Sequence, residues 1–281
     1  MRAKESAYLE PGEVVVTTVL AAVLGFVFIV PFLWMILSSL KVPAELFVVP
    51  MQWVPRVPQW HNYVRIFTEF PFFLDLRNTG ILVVVNIAAS VASNTLIAYG
   101  FTKIEWKGRE ALFYVVLATL ILPFQVVMIP LFILFHRLHW IGTLLPLLVP
   151  GFFGTAFFIF LLRQFYQSIP DELCFAARID GASEFRIYSR IILPLSMPAI
   201  TTVIIFQFLR TWNDFIGPLI FLTDNKLYTL SLGAQQIMQN LDPKWDMLLT
   251  LGVVMTLPVL FVFFLLQKYF IQGIAMTGIK G

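Results

Sequence analysis

The chain has 281 residues, 59% of them hydrophobic and only 12% charged, with Phe occurring 29 times and a formal net charge of +3. That composition leaves too little polar surface to coat a water-soluble globule of this size. The mild positive balance includes no basic stripe interleaved with aromatics, which argues against a nucleic-acid partner.

The apolar residues are grouped in blocks, and about 20 such residues are needed to cross a hydrocarbon layer about 30 Å thick. Six blocks are long enough: 14–37, 79–101, 111–135, 144–162, 191–209 and 247–267. None contains Asp, Glu, Lys or Arg. The first follows Arg2 and Lys4 but is too long for a signal h-region and lacks a small-residue cleavage site, so it reads as an uncleaved span. Six spans put both termini on one side, and 11 of the 19 Lys and Arg residues fall on that side. The expected topology therefore has both termini in the cytoplasm. The expected fold class is all-α, a polytopic membrane protein with six transmembrane helices in a single domain over residues 1–281.

Between the first two spans, Pro43, Pro50, Trp53, Pro55, Pro58 and Trp60 predict a rigid, irregular outer connection. A short interfacial helix is expected from Trp60 to about Thr68. The second span carries Asn86, Ser90, Ser93 and Asn94 at i, i+4, i+7 and i+8, which places one polar stripe on an apolar helix. Two uses are open to it: lining a translocation pathway, or hydrogen bonding to neighbouring helices.

The third span is interrupted by Pro123 and Pro130 around Gln125, as in a broken helix facing a cavity or a plain packing kink. Trp212, Asn213 and Asp214 close the fifth span. They suit a hydroxylated ring, and equally a capped helix end with an interfacial indole. The lack of charge within the spans argues against a proton- or sodium-coupled carrier. His61, His136 and His139 lack metal-ligand spacing, and no metal site is expected. Cys174, the one cysteine, falls in a segment placed in the cytoplasm and is expected to be a reduced, buried thiol.

The inner segment 163–190 is the most informative. Ser168-Ile-Pro-Asp171 reads as a helix start with Ser168 able to cap, and Gly181 supplies the left-handed residue that ends a short helix near Ile179. Ser183 and Glu184 then open a second helix. The product is an elbow over 168–190, and Leu173, Ala176, Ala177 and Asp180 form a narrow face of mostly small side chains on its first helix. A helix lying on the membrane surface is the alternative.

The string Pro170-Asp-Glu-Leu-Cys-Phe-Ala-Ala-Arg-Ile-Asp-Gly-Ala182, continued by Ile191-Ile-Leu-Pro194 and Pro198, resembles the cytoplasmic EAA motif of binding-protein-dependent ABC import permeases. Leu122-Pro-Phe-Gln-Val-Val-Met-Ile-Pro130, Thr211-Trp-Asn-Asp-Phe215 and the ending Gln267-Lys-Tyr-Phe-Ile-Gln-Gly273 through Lys280-Gly281 resemble its carbohydrate branch. The layout is most similar to the six-helix permease of maltose-type and glycerol-phosphate-type importers.

The resemblance implies the ABC type I importer permease fold, with the elbow as the coupling helix that docks into the ATPase through Glu172, Phe175, Ala176, Ala177, Asp180, Gly181 and Ala182. The chain departs from the motif at Phe175, which stands in place of the family's glutamate and is expected to act as an apolar plug. Asn86, Ser90, Asn94, Gln125, Trp212, Asn213 and Asp214 are the candidates for the translocation pathway. The outer segment from Thr223 to Asp246 is expected to reach into an external binding protein through Gln235, Gln236, Gln239 and Asn240.

The implied partners are a second homologous permease, two ATPase subunits, an extracytoplasmic sugar-binding protein and the bilayer of the bacterial cytoplasmic membrane. No G-x-x-x-x-G-K-[ST] loop follows a strand pattern, so ATP and Mg are expected on the partner ATPase, no cofactor on this chain, and no enzymatic activity here. The competing functions are a secondary sugar carrier, a self-contained channel and a membrane-embedded enzyme.

Overall fold

The computed structural model describes residues 11–239 and 243–277. Arg2, Lys4, Asn240 and Lys280 lie outside the described residues. Among the described residues three helices are long, apolar and continuous: α1 (Pro11–Ser39), α3 (Phe72–Thr102) and the last helix, Trp245–Thr277. A short helix, α2 (His61–Glu69), precedes α3 and matches the expected interfacial helix to within a residue.

The third apolar block is a bent pair. α4 (Arg109–Ala118) runs through a 3₁₀ turn to Ile121, and α5 (Phe124–Arg137) leaves at 101° to it. Pro123 sits at the break in an extended conformation, which follows from its fixed φ and missing N–H. Pro130 lies inside α5.

The fourth block, Leu145–Gln167, passes through a 3₁₀ stretch and Gly154, at φ +84°, before α6 (Ala156–Gln167). The fifth is again bent, by 77°, where Glu184–Leu195 meets α8 (Met197–Trp212). α10 (Trp245–Thr277) closes the chain. Among the described residues four helices are long and apolar enough to cross a membrane, or six when each bent pair is taken as one span.

The chain divides into two compact units. The first comprises residues 1–70 and 237–256. Within it Arg65 donates to Glu69 at 2.9 Å and to the buried Asp246 at 2.6 Å, and Lys244 reaches Glu69 at 3.0 Å. The Lys41 side chain is buried there and donates to the Gln52 carbonyl at 2.5 Å.

The second unit comprises residues 71–236 and 257–281. Its core joins Ala98 and Tyr99 of α3, Phe158, Leu162 and Tyr166 of α6, and Ile187, Ile192 and Val203 from the fifth block. Outside these cores large apolar side chains face outward along α1, from Val14 through Leu33. Such a surface needs hydrocarbon or another apolar chain to cover it.

Candidate functional site

The elbow is built around α7 (Asp171–Ile179). Pro170, not Ser168, is its cap residue; the Ser168 hydroxyl turns back to the Phe165 carbonyl and closes α6 instead. The far end of α7 carries both bonds of a Schellman cap, Ala182 N–H to Ala177 O at 2.9 Å and Gly181 N–H to Arg178 O at 3.0 Å. Gly181 has φ +77°, so the glycine of the motif has a backbone reason.

Ion pairs fasten the elbow to the end of α3. Lys103 donates to Asp171 and to the Ile169 carbonyl, each at 2.6 Å. Arg178 pairs with Glu184 at 2.7 Å and donates to the Lys103 carbonyl at 3.1 Å, and the Tyr99 hydroxyl donates to Glu184 at 2.6 Å. Cys174, on the inner face of α7, is buried, and burial pushes its thiol pKa up, as for an inert cysteine.

Of the expected face, Leu173, Ala176 and Asp180 are exposed and Ala177 is not, and large apolar side chains widen the outward surface. Ala177 and Ala182 pack on the core, whereas Phe175 is 56% exposed, Ile179 86% and Phe185 69%. Glu172, Ala176 and Asp180 are exposed as well.

The polar stripe of α3 holds its neighbour. Asn86 donates to Leu147 O at 3.0 Å, Ser93 to Gly151 O at 3.1 Å, and Asn94 accepts the Thr155 N–H at 2.7 Å while donating to Ser90. These bonds satisfy backbone groups released where the fourth block is not α-helical. Ser90 and Asn94 are fully buried in this role.

A cavity of about 350 Å³ lies in the second unit, and Asn86, Thr155, Gln207, Arg210, Thr211 and Asp214 contribute its polar lining. Phe124, Phe135 and Phe221 are among its apolar residues. Of the seven pathway candidates, the structure brings only Asn86 and Asp214 together on this cavity. Gln125 is exposed elsewhere, Trp212 is buried with its ring stacked on Phe208, and Asn213 donates back to Leu209 O at 2.8 Å.

Asp214 accepts the Gly217 N–H at 3.1 Å. Sequence reasoning missed Gln207, Arg210 and Thr211. Ending the fifth span at Leu209 hid Arg210 and Thr211, and Gln207 was passed over inside the span, although Gln207, Arg210, Thr211 and Asp214 recur at i, i+3, i+4 and i+7.

Leu230–Met238 is helical, α9, within the outer segment expected to reach a binding protein. The Leu230 N–H bonds to Thr79 Oγ1 at 3.0 Å, and Asn78 donates to the carbonyls of Lys226 and Tyr228 at 2.8 and 2.9 Å. Gln235 and Gln236 are half-buried on α9, and Gln239 is exposed just after it.

Bent apolar helices around a cavity with a few polar groups on an apolar wall, with an ion-paired elbow at one end, fit a membrane transport subunit. The chain belongs to the family of binding-protein-dependent transport system inner membrane components, whose model matches residues 90–276. It is similar to the arabinooligosaccharides transport system permease protein AraQ of Bacillus subtilis, 33% identical over 94% of this chain and 95% of that one. It is also similar to the lactose transport system permease protein LacG of Rhizobium radiobacter, 29% identical over 89% and 90%. Its fold matches a chain in the crystal structure of a bacterial ABC transporter involved in the import of the acidic polysaccharide alginate, with TM-score 0.81, 22% identity, and coverage of 94% and 99%. The chain is an importer permease, not an enzyme of its own.

Proposed function

We infer that this permease carries a sugar or related polyol inward across the cytoplasmic membrane, as one of two homologous permeases served by two ATPase subunits and an external binding protein. Relatives whose names specify arabinooligosaccharides and lactose support the cargo class. The exposed apolar side chains of the elbow, Phe175, Ile179 and Phe185, carry the argument for the ATPase partner, because they are presented on a rigid, capped and ion-paired mount. ATP and Mg bind to that partner, and both termini lie on its side of the membrane.

Affinity purification of the tagged chain from native membranes tests this reading. A second permease, an ATPase and, after crosslinking, a sugar-binding protein are expected in the eluate. Sugar flux through the chain reconstituted alone would instead establish a secondary carrier or channel. Gln236 and Gln239 are the residues for the binding-protein contact, together with Gln235 and Asn240. Replacing Gln236 and Gln239 by Ala is expected to lower binding-protein-stimulated ATP hydrolysis while leaving the subunit stoichiometry intact. Unchanged stimulation would remove that contact.

A further inference from the structure

Arg210 and Asp214 both line the cavity, yet among the described residues neither takes part in an ion pair. They are four residues apart, but α8 ends at Trp212, so Asp214 lies beyond the helix and the two do not form an i, i+4 pair. A guanidinium offers five donors and no acceptor, and a carboxylate only acceptors. Each therefore keeps capacity for a ligand. Asp214 receives one backbone N–H, from Gly217, on a half-buried group that can accept about four hydrogen bonds.

Gly217 keeps the carboxylate where it is. A Cβ at that position would lie 2.6 Å from Asp214 Oδ2 and 2.9 Å from Leu147 Cδ2. Charges along a membrane path are retained where they meet water or cargo. The cavity volume lies near the lower end of the range for small-molecule sites, the scale of one ring. Its aromatic residues offer apolar surface for the C–H face of a ring. An ionic cargo would meet one like charge, whereas ring hydroxyls donate to the carboxylate and accept from the guanidinium at once.

We propose that this subunit carries its own sugar subsite, in which Arg210 and Asp214 together recognise the hydroxyls of one neutral ring. The proposal rests on the sugar-permease reading and adds the residues that select the cargo. Gln207 and Thr211, joined by a hydrogen bond of 2.9 Å, support the same wall of the cavity.

The test uses the complete importer in nanodiscs, with saturation-transfer NMR of arabinotriose as the neutral probe and galacturonate trimer as the acidic one. The wild type is expected to favour arabinotriose. Arg210→Gln and Asp214→Asn should each weaken arabinotriose about tenfold, the scale of one hydrogen bond to a charged group. They should shift the acidic-to-neutral ratio in opposite directions, since D214N leaves a lone cation and R210Q a lone anion. Arg210→Lys and Asp214→Glu, which keep the charges, should retain the wild-type ratio.

A merely structural role would move both probes together, and equal losses would overturn the proposal. So would arabinotriose binding that neither variant changes. Arg210 is exposed and outside every ion pair described, so R210Q alone decides the matter if D214N fails to assemble. Sugar uptake by the complex without any probe signal at this cavity would overturn the subsite and leave the permease reading standing. Failure of the assembled complex to take up any sugar would overturn both.

Discussion

The Lys103 ammonium lies 2.6 Å from the Asp171 carboxylate, with a lysine side chain 2% exposed and an aspartate 65% exposed. One member of the pair is thus held inside while the other faces water. Removing the outer member strands the inner one, because a buried cation without its partner is the costly half of such a pair. Asp171→Asn is therefore expected to loosen the elbow, and Lys103→Met, which removes the charge as well, to loosen it less. Hydrogen exchange over residues 169–180 would check the order. Equal protection in both variants would contradict it.

Gly181 has φ +77°, and a methyl group there would meet nothing within 4 Å, so backbone conformation and not space decides what the position tolerates. Gly181→Asn should keep the ATPase bound, Gly181→Ala should cost about 1 kcal/mol, and Gly181→Val more. The observable is the ATPase-to-permease ratio after purification. A Val variant that copurifies at the wild-type ratio would show that the Schellman cap does not set the elbow.

Asn94→Leu removes the acceptor of the Thr155 N–H and leaves that donor without its partner, a loss of about 1–3 kcal/mol. Assembly and transport should then fall together, as measured by complex yield and sugar uptake. Transport lost at full yield would assign Asn94 to the pathway instead.

Gly151→Ala would place a Cβ 2.8 Å from Asn86 Oδ1, closer than atoms of these types approach. Asn86 also lines the cavity, so this methyl should reduce uptake more than yield. Asn86→Ala combined with Gly151→Ala should recover part of the lost yield, and a double variant no better than the single one would rule out this clash.

Glu69 has its carboxyl pKa lowered to about 2 from an ordinary 4.5, first by hydrogen bonding to Arg65 and then to Lys244. A depressed folded-state pKa means that its contribution is complete above pH 4.5 and is lost as pH falls toward 2. The melting temperature of the wild type should therefore converge on that of Glu69→Gln as pH falls through this window. Salt should shrink the difference at neutral pH, because the glutamate is partly exposed.

Span positions, the elbow and its glycine cap were legible because each rests on a local rule: apolar length, and the left-handed residue at a helix end. The 101° turn at Pro123 was legible only as a break, since a proline marks where a helix stops and not where the next one heads. The stripe of α3 left two uses open because the sequence does not say that the facing segment is partly non-helical and supplies free backbone groups. Ala177, expected on the outward face, packs against the core instead for a related reason: periodicity defines a face, and only packing decides how far round the helix the burial extends. Arg210 was hidden by a boundary drawn at the first charge.

α3 has 31 residues, a length of about 46 Å at 1.5 Å per residue, longer than the hydrocarbon layer it crosses. It is tied near its start to the 226–230 segment through Asn78 and Thr79, and at its end to the elbow through Tyr99 and Lys103. A continuous helix of this kind behaves as a pushrod: displacement at one end arrives at the other in the same stroke, without a relay of intermediate side-chain changes. On the proposed reading, in which an ATPase docks at the elbow, slack introduced anywhere along this helix would appear as ATP consumed without sugar delivered.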